Sequence, residues 1–409
     1  MPTNDNSNVQ AKLKRRIGLP LLVMYGTGIT IGAGIYVLIG AVAGHAGKFA
    51  PWSFLLAALV MALTVASYAE MATRYPVSAG EAAYMRAAFS SKILSVLTGL
   101  LTLVIGVVSS AAVAIGSAGY MAQFIDLPAG VLIVIIVLVL GAISAWGILE
   151  SVLLAALFTV IEVGGLLAIV ASAVYAGLPV GPVILQVPPL DMASFSSIAF
   201  GGLLAFFAFI GFEDLANIAE EAQEPQRNLP RAMVWTLIVS TVLYVSIAVI
   251  CVAAVPVEQL AASPAPLSLV FRTLAGVSPA TISLIAIFAT LNTILAQMTL
   301  SSRVMYGMAR QGDLPEVLGR VDQRTATPLV ATAINIALVI ILAVALPLEK
   351  LAEGTSIATL AVFALVNISL ITIRLRGIES GEPHVTVPLW MPVAGLLTSL
   401  AMMASAALG

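Results

Sequence analysis

Long apolar runs recur along nearly the whole 409-residue chain; with a charged fraction of only 9% and a one-sided distribution of basic residues, they predict an all-α integral membrane protein of about eleven transmembrane helices. Apolar runs of about 18 to 25 residues are enough to cross a hydrocarbon layer roughly 30 Å thick, and the third and eighth segments are long enough to tilt or protrude. A soluble domain carries roughly 25% charged residues, and a chain that is 60% hydrophobic could not hide its apolar surface from water beneath so thin a polar cover. Short polar connections between the runs argue for one helical bundle rather than several soluble domains.

The expected helices lie near 18–44, 52–74, 92–124, 129–148, 152–178, 196–219, 232–254, 278–308, 329–347, 355–374 and 388–408. Proline punctuates them at Pro51, Pro76, Pro328 and Pro388, where a missing amide proton is harmless. A polar tail, residues 1–17, ends in the cluster Lys12, Lys14, Arg15 and Arg16; the apolar stretch behind it is too long and glycine-broken for a signal peptide, so the tail is expected to be retained. With the tail in the cytoplasm, Arg74, Arg86, Lys92, Arg227, Arg231, Arg303, Arg310, Arg320, Arg324, Arg374 and Arg376 also fall inside. Of 18 basic residues only Lys48, Arg272 and Lys350 remain outside. That bias predicts a multi-pass protein of the inner (cytoplasmic) membrane with a cytoplasmic N-terminus and an external C-terminus.

Two helices are interrupted by glycine: the first carries Gly26, Gly28, Gly32, Gly34 and Gly40, the sixth Gly201, Gly202 and Gly211. They stand five helices apart, at matching places of a five-plus-five repeat spanning residues 18–178 and 196–374, with 388–408 as an additional transmembrane helix. Broken helices at matching positions of two halves point to a binding site at the bilayer midplane, although small residues also serve close helix packing. Glu213 and Asp214 follow Gly211 inside an apolar surround, and Glu162 lies among Phe158, Val160, Ile161, Val163, Leu166 and Leu167. No Lys or Arg is expected deep enough to pair with them, which leaves a proton or a cationic ligand as partner. Glu70, Glu81, Glu220 and Glu221 belong near the cytoplasmic ends beside Arg74, Arg86 and Arg227, where they read as gate salt bridges or, the safer assumption, as solvated surface pairs.

Other classes lack support. There is no H-E-x-x-H, no Ser/His constellation and no metal cluster, since the two histidines, His45 and His384, belong near opposite faces; neither an enzyme nor a bound cofactor or metal is expected. A net charge of −2 gives no reason to expect a nucleic-acid partner. Cys251 lies in an apolar run and reads as packing.

Four stretches, in order, resemble the amino acid–polyamine–organocation permeases, in particular the bacterial branch related to cationic amino acid transporters. They are Gly28 to Gly40 (GITIGAGIYVLIG), Tyr68 to Pro76 with Gly80 and Tyr84, Phe206 to Glu221 continued to Arg231, and Ser302 to Pro315. The resemblance implies a LeuT-type inverted repeat with discontinuous first and sixth helices. It implies that Gly32 is a substrate-binding residue at the helix break and that Ala33, Gly34 and Ile35 hold a substrate carboxylate through main-chain N–H groups, where the helix dipole favours an anion. Thr30, Phe207, Ala208 and Ile210 would accept the ammonium group through carbonyls. Phe207 matches the position of an aromatic lid and equally suits packing among Phe206, Phe209 and Phe212. Gly106, Ser109 and Ser110 could leave room for a side chain or simply bring helices together.

Two departures matter. Many members of the family have twelve helices. At the position that looks equivalent to Glu162, proton-coupled bacterial relatives often carry lysine. The expected function is secondary active transport of amino acids, proton-coupled and working by alternating access, with Glu162 and then Glu213 as ion-coupling groups and a proton rather than sodium as the coupling ion. The alternative is an amine or polyamine permease or exchanger with cationic cargo.

Overall fold

The computed structural model describes residues 17–76, 80–146, 152–217, 219, 222–276, 278, 280–310, 312–322, 327–381 and 383–408. The basic cluster at 12–16, Glu220, Glu221 and Arg324 lie outside the described residues. In place of one continuous first helix stand α1 (Leu19–Ile31) and α2 (Gly34–Ala46). Then come α3 (Ala50–Arg74), opened by Pro51, the short α4 (Gly80–Phe89), and α5 (Lys92–Met121), where the Ser91 hydroxyl caps the Leu94 N–H at 3.4 Å. α6 (Ala129–Trp146), α7 (Val152–Tyr175) and the single turn α8 (Gly181–Ile184) follow. α9 (Met192–Phe207) is capped by Asp191, which accepts from Ser194 N–H at 2.7 Å; it gives way to a turn and the short α10 (Asp214–Asn217).

The second half holds α11 (Pro225–Ala254), α12 (Val257–Ala262), α13 (Pro266–Ala275), α14 (Ala280–Arg310), α15 (Leu329–Ala345), α16 (Leu348–Leu375) and α17 (Trp390–Ala404). Among the described residues there is no strand beyond a single bridge, Ile17 with Ala222, beside which Gln223 N–H donates to Ile17 O at 2.9 Å.

Among the described residues, seven helical stretches are long and apolar enough to cross a membrane: 34–74, 92–121, 158–175, 225–254, 280–310, 348–375 and 390–407. Shorter apolar helices stand at 19–31, 129–145, 192–207, 266–275 and 329–345, and each of the expected segments overlaps one of these twelve stretches. α1 packs on α7 and α11, α2 on α9, and α9 on α3, while α5 lies against α14 and α16. α6 and α15 sit outside them with Val131, Ile135, Leu138, Leu338, Ile341 and Val344 exposed. Outward apolar faces of that kind need hydrocarbon around them.

Glu70 and Glu81 require correction, because neither is a solvated surface group. Glu70 is fully buried and accepts from Arg74 Nε at 2.8 Å, Arg374 Nε at 2.8 Å, a terminal Arg374 nitrogen at 2.7 Å and Val387 N–H at 2.8 Å. Its main partner lies 304 residues away in sequence, so no local pattern could announce it. Glu81 is half-buried and accepts from the Tyr68 hydroxyl at 3.0 Å. At another point of contact between α2 and α16, His45 Nε2 meets Glu349 Oε1 at 2.5 Å, near the exposed pair of Lys350 and Glu353.

Candidate functional site

The site begins where two helices stop short. α1 ends at Ile31, Gly32 takes φ 19° and ψ −127°, and the chain resumes as α2 at Gly34. α9 ends at Phe207, and the chain then turns through Gly211, whose φ of +131° suits only glycine. The two breaks touch. A Cβ on Gly34 would lie 2.5 Å from Ala208 Cα, and one on Gly211 would lie 3.0 Å from the Ile29 carbonyl carbon, so these glycines let main chain meet main chain. The first-turn N–H groups of α2 have no intrahelical acceptor, and carbonyls are released at the ends of α1 and α9.

A cavity of about 280 Å³ opens against these breaks. Thr30, Ala33, Gly34, Phe207 and Ile210, all expected from sequence, line it together with Tyr25, Gly28, Ile29, Ser109 and Asp214. The opposite wall is one face of α14: Asn292, Thr293, Ala296, Gln297, Thr299, Leu300 and Arg303. Gly32, Ile35 and Ala208 do not line the cavity; Ile35 is fully buried and Ala208 backs Gly34. Ser109 faces the cavity, whereas Gly106 serves packing, since its Cβ would come within 2.1 Å of Ser301 Oγ.

The two expected coupling carboxylates stand apart from each other. Glu162 on α7 is 1% exposed, outside the cavity wall, and neither carboxylate oxygen has a hydrogen bond of sound geometry among the described residues; Asn292 of α14 is beside it. Its main-chain carbonyl accepts from the Tyr36 hydroxyl at 2.6 Å. Glu213 caps the second break, accepting from Gly211 N–H at 2.8 Å. It lines a side compartment of about 40 Å³ with Tyr68, Glu81, Thr102, Asp214, Gln297 and Thr359. Ile210, Asp214, Gln297 and Leu300 border both spaces.

Tyr244 on α11 was not foreseen. Its hydroxyl, fully buried, lies 2.7 Å from Thr30 O and 2.8 Å from Ala208 O, sharing one proton between two of the carbonyls assigned to an ammonium group. Nothing in the sequence around Tyr244 marks it, because its partners belong to two other helices. Arg303 is an exposed guanidinium on the cavity lining, so the cavity is not free of positive charge. The α14 wall did carry a signal: Asn292, Ala296, Thr299 and Arg303 recur at helical spacing on one face.

Among the described residues no group of His, Cys, Asp and Glu could hold a metal ion. The amino acid permease family model matches residues 18–408. A branched-chain amino acid permease of Bacillus subtilis is 29% identical over 403 residues, 90% of this chain and 82% of that protein. A vacuolar cationic amino acid transporter of Arabidopsis thaliana is 30% identical over 398 residues, 90% of this chain but only 62% of its own length. An uncharacterized transporter of Mycobacterium tuberculosis is 31% identical over 389 residues, covering 94% of this chain and 86% of that protein. Helices suited to hydrocarbon, two touching helix breaks and a match along nearly the whole sequence agree: the chain is a multi-pass membrane protein of the amino acid permease family, within the amino acid–polyamine–organocation superfamily, and a transporter rather than an enzyme.

Proposed function

We propose that the protein is a proton-coupled amino acid symporter of the cytoplasmic membrane that works by alternating access. In this reading the fold is a LeuT-type inverted repeat, with repeats at 18–178 and 196–374, an additional helix at 388–408 and a cytoplasmic tail at 1–17. The observation that carries it is the meeting of two interrupted helices at one cavity, where freed N–H groups and freed carbonyls face a shared space. A zwitterion fits that pairing: its carboxylate takes the N–H groups of Ala33 and Gly34 on the cavity lining, with Ile35 set back in the same first turn, and its ammonium takes the carbonyls of Thr30, Phe207 and Ile210, with Ala208 set back against Gly34. Each carbonyl has two lone pairs, so the Tyr244 hydroxyl and a substrate can share Thr30 O and Ala208 O. Phe207, on the cavity wall, acts as the aromatic lid. The family and the amino acid cargoes named for two of the relatives support the same substrate class.

Glu162 is the coupling group, since a buried carboxylate that has, among the described residues, no cation and only the neutral Asn292 beside it can meet its needs by taking up a proton and giving it back when the site opens to water. Glu213 is the second candidate, on the substrate side. The test is uptake of labelled amino acids into proteoliposomes with and without an imposed pH gradient. Accumulation driven by an inward proton gradient supports the reading; uptake driven only by a sodium gradient, or absent for every amino acid, contradicts it.

A further inference from the structure

We infer that His45 of α2 and Glu349 of α16 form a proton-operated latch, which shuts one end of the cavity while His45 is protonated and lets that end open when the proton leaves. The inference rests on the alternating-access reading above and adds a control on one of its two gates. The cavity has an open end and a closed one. Ser117 of α5 meets Thr290 of α14 at 2.9 Å, and at the preceding position a Cβ on Gly116 would collide with Val37 of α2. α2 therefore runs past the N-terminal part of α14, whereas the cavity lining extends along α14 the other way, from Asn292 to the exposed Arg303. Of α2 only Gly34 lines the cavity. Beyond it Ile35, Leu38, Ile39, Val42 and Ala43 are fully buried, where α2 packs on α9, α12 and α13. For a substrate to enter from that end, the contacts across it must part.

The contact between His45 and Glu349 spans that end. α2 is 13 residues long, about 20 Å by its rise per residue, so His45 stands at its far end from the break, and Glu349 lies in the first turn of α16. His45 Nε2 and Glu349 Oε1 are 2.5 Å apart, the one ion pair among the described residues that joins α2 to another helix. The imidazole is steadied by Phe200 of α9, with ring centroids 4.6 Å apart in an edge contact. Lys350, next to Glu349, pairs with Glu353 at 2.7 Å and leaves Glu349 to His45. Lys48 after α2, Asp191 before α9, Glu258 of α12 and Arg272 of α13 are exposed and make no ion pair with either partner. The charged groups of the helices packed on α16, Glu70 and Arg74 of α3 among them, belong to its opposite end beside Arg374.

With His45 protonated the contact is a charge-assisted hydrogen bond, about twice as strong as the neutral one that remains when the proton leaves. Imidazole is the side chain whose charge changes across the ordinary range of pH. A ligand shifts an equilibrium toward the state that binds it better, so protons favour the shut form and their loss favours opening. His45 and Glu349 are 35% and 38% exposed, and solvent protons reach the pair directly.

The experiment is a pulsed electron paramagnetic resonance distance measurement between spin labels on Lys48→Cys and Leu346→Cys, in the full-length protein in lipid nanodiscs, at about pH 5.5 and about pH 8.5. Both positions are exposed and outside the latch, and the one native cysteine, Cys251, is buried. Expected is a single short-distance population at acid pH and, at alkaline pH, a second population longer by about 5 Å or more. His45→Gln should show the longer population at both pH values, and His45→Lys, which stays charged, should keep the short one at both. Glu349→Gln should repeat the His45→Gln result, and supplies the test should that variant fail to fold. A distance distribution that does not change with pH while His45 is present overturns the latch. A change that persists unaltered in His45→Gln assigns the response to another group and likewise overturns it. No substrate enters the measurement, so failure of proton symport in the uptake test stands apart from failure of the latch.

Discussion

Glu70 and Glu162 lie equally deep in the bundle, at 0% and 1% exposure, and their surroundings are opposite. Glu70 accepts four hydrogen bonds from Arg74, Arg374 and Val387 N–H, and so joins α3, α16 and the chain leading into α17. Glu162 has no sound hydrogen bond to either carboxylate oxygen among the described residues. A buried charge is tolerated when its neighbours replace the water it lost, and otherwise it must be neutralised or solvated in another state of the molecule. The difference separates a carboxylate whose charge is matched by its neighbours from one whose charge is not, which is what the proposed coupling role at Glu162 requires. Residue type and depth alone would have treated them alike.

The comparison breaks most visibly at Glu70. Replacing it by Ala leaves Arg74 buried and Arg374 partly buried without their shared acceptor, and the expected cost is about 3 kcal/mol, read as a lowered unfolding temperature of the purified protein. Thermal stability equal to wild type would remove Glu70 from its structural role. A smaller effect is expected at Tyr244, which lends a proton to Thr30 O and Ala208 O. Tyr244→Phe returns those lone pairs to a substrate ammonium, so affinity should rise about fivefold, the equivalent of one neutral hydrogen bond of about 1 kcal/mol. Unchanged affinity in Tyr244→Phe would mean that these carbonyls do not receive the substrate. The smallest effect belongs to Lys350, whose exposed ammonium pairs with the partly buried Glu353. Lys350→Ala should leave the unfolding temperature within measurement error, as exposed pairs contribute little, and a clear drop would show that ion pairs at that end carry more than exposure suggests.

Much of this was legible in the sequence, and the remainder was hidden for identifiable reasons. The long helical segments follow from apolar length, whereas glycine alone did not locate the interruptions, since Gly26, Gly28, Gly40, Gly201 and Gly202 lie inside unbroken helix; the break near Gly32 came from the resemblance. The faces that meet around the cavity were legible only in part, because the α1 and α9 ends carry motif residues while the α14 wall carries only a periodicity. Glu70, Glu81 and Tyr244 were misread or missed for one reason. Their partners come from other helices, the neighbouring α3 for Glu81 and distant ones for Glu70 and Tyr244, and a carboxylate four residues from an arginine reads the same whether the pair is solvated, as assumed for Glu70 and Arg74, or closed over by Arg374. Arg303 was assigned to the cytoplasmic end, and only the packing of α14 brought it onto the cavity lining.

The central claim, that Glu162 couples amino acid movement to a proton, is tested most directly by comparing wild type and Glu162→Gln in proteoliposomes under an imposed pH gradient and in exchange without one. Glutamine keeps the shape of the side chain and removes its titration. The account predicts that Glu162→Gln loses most of its concentrative uptake and pH dependence, roughly tenfold or more, while retaining exchange of internal for external amino acid. Concentrative uptake and pH dependence matching wild type in a folded Glu162→Gln protein would contradict it.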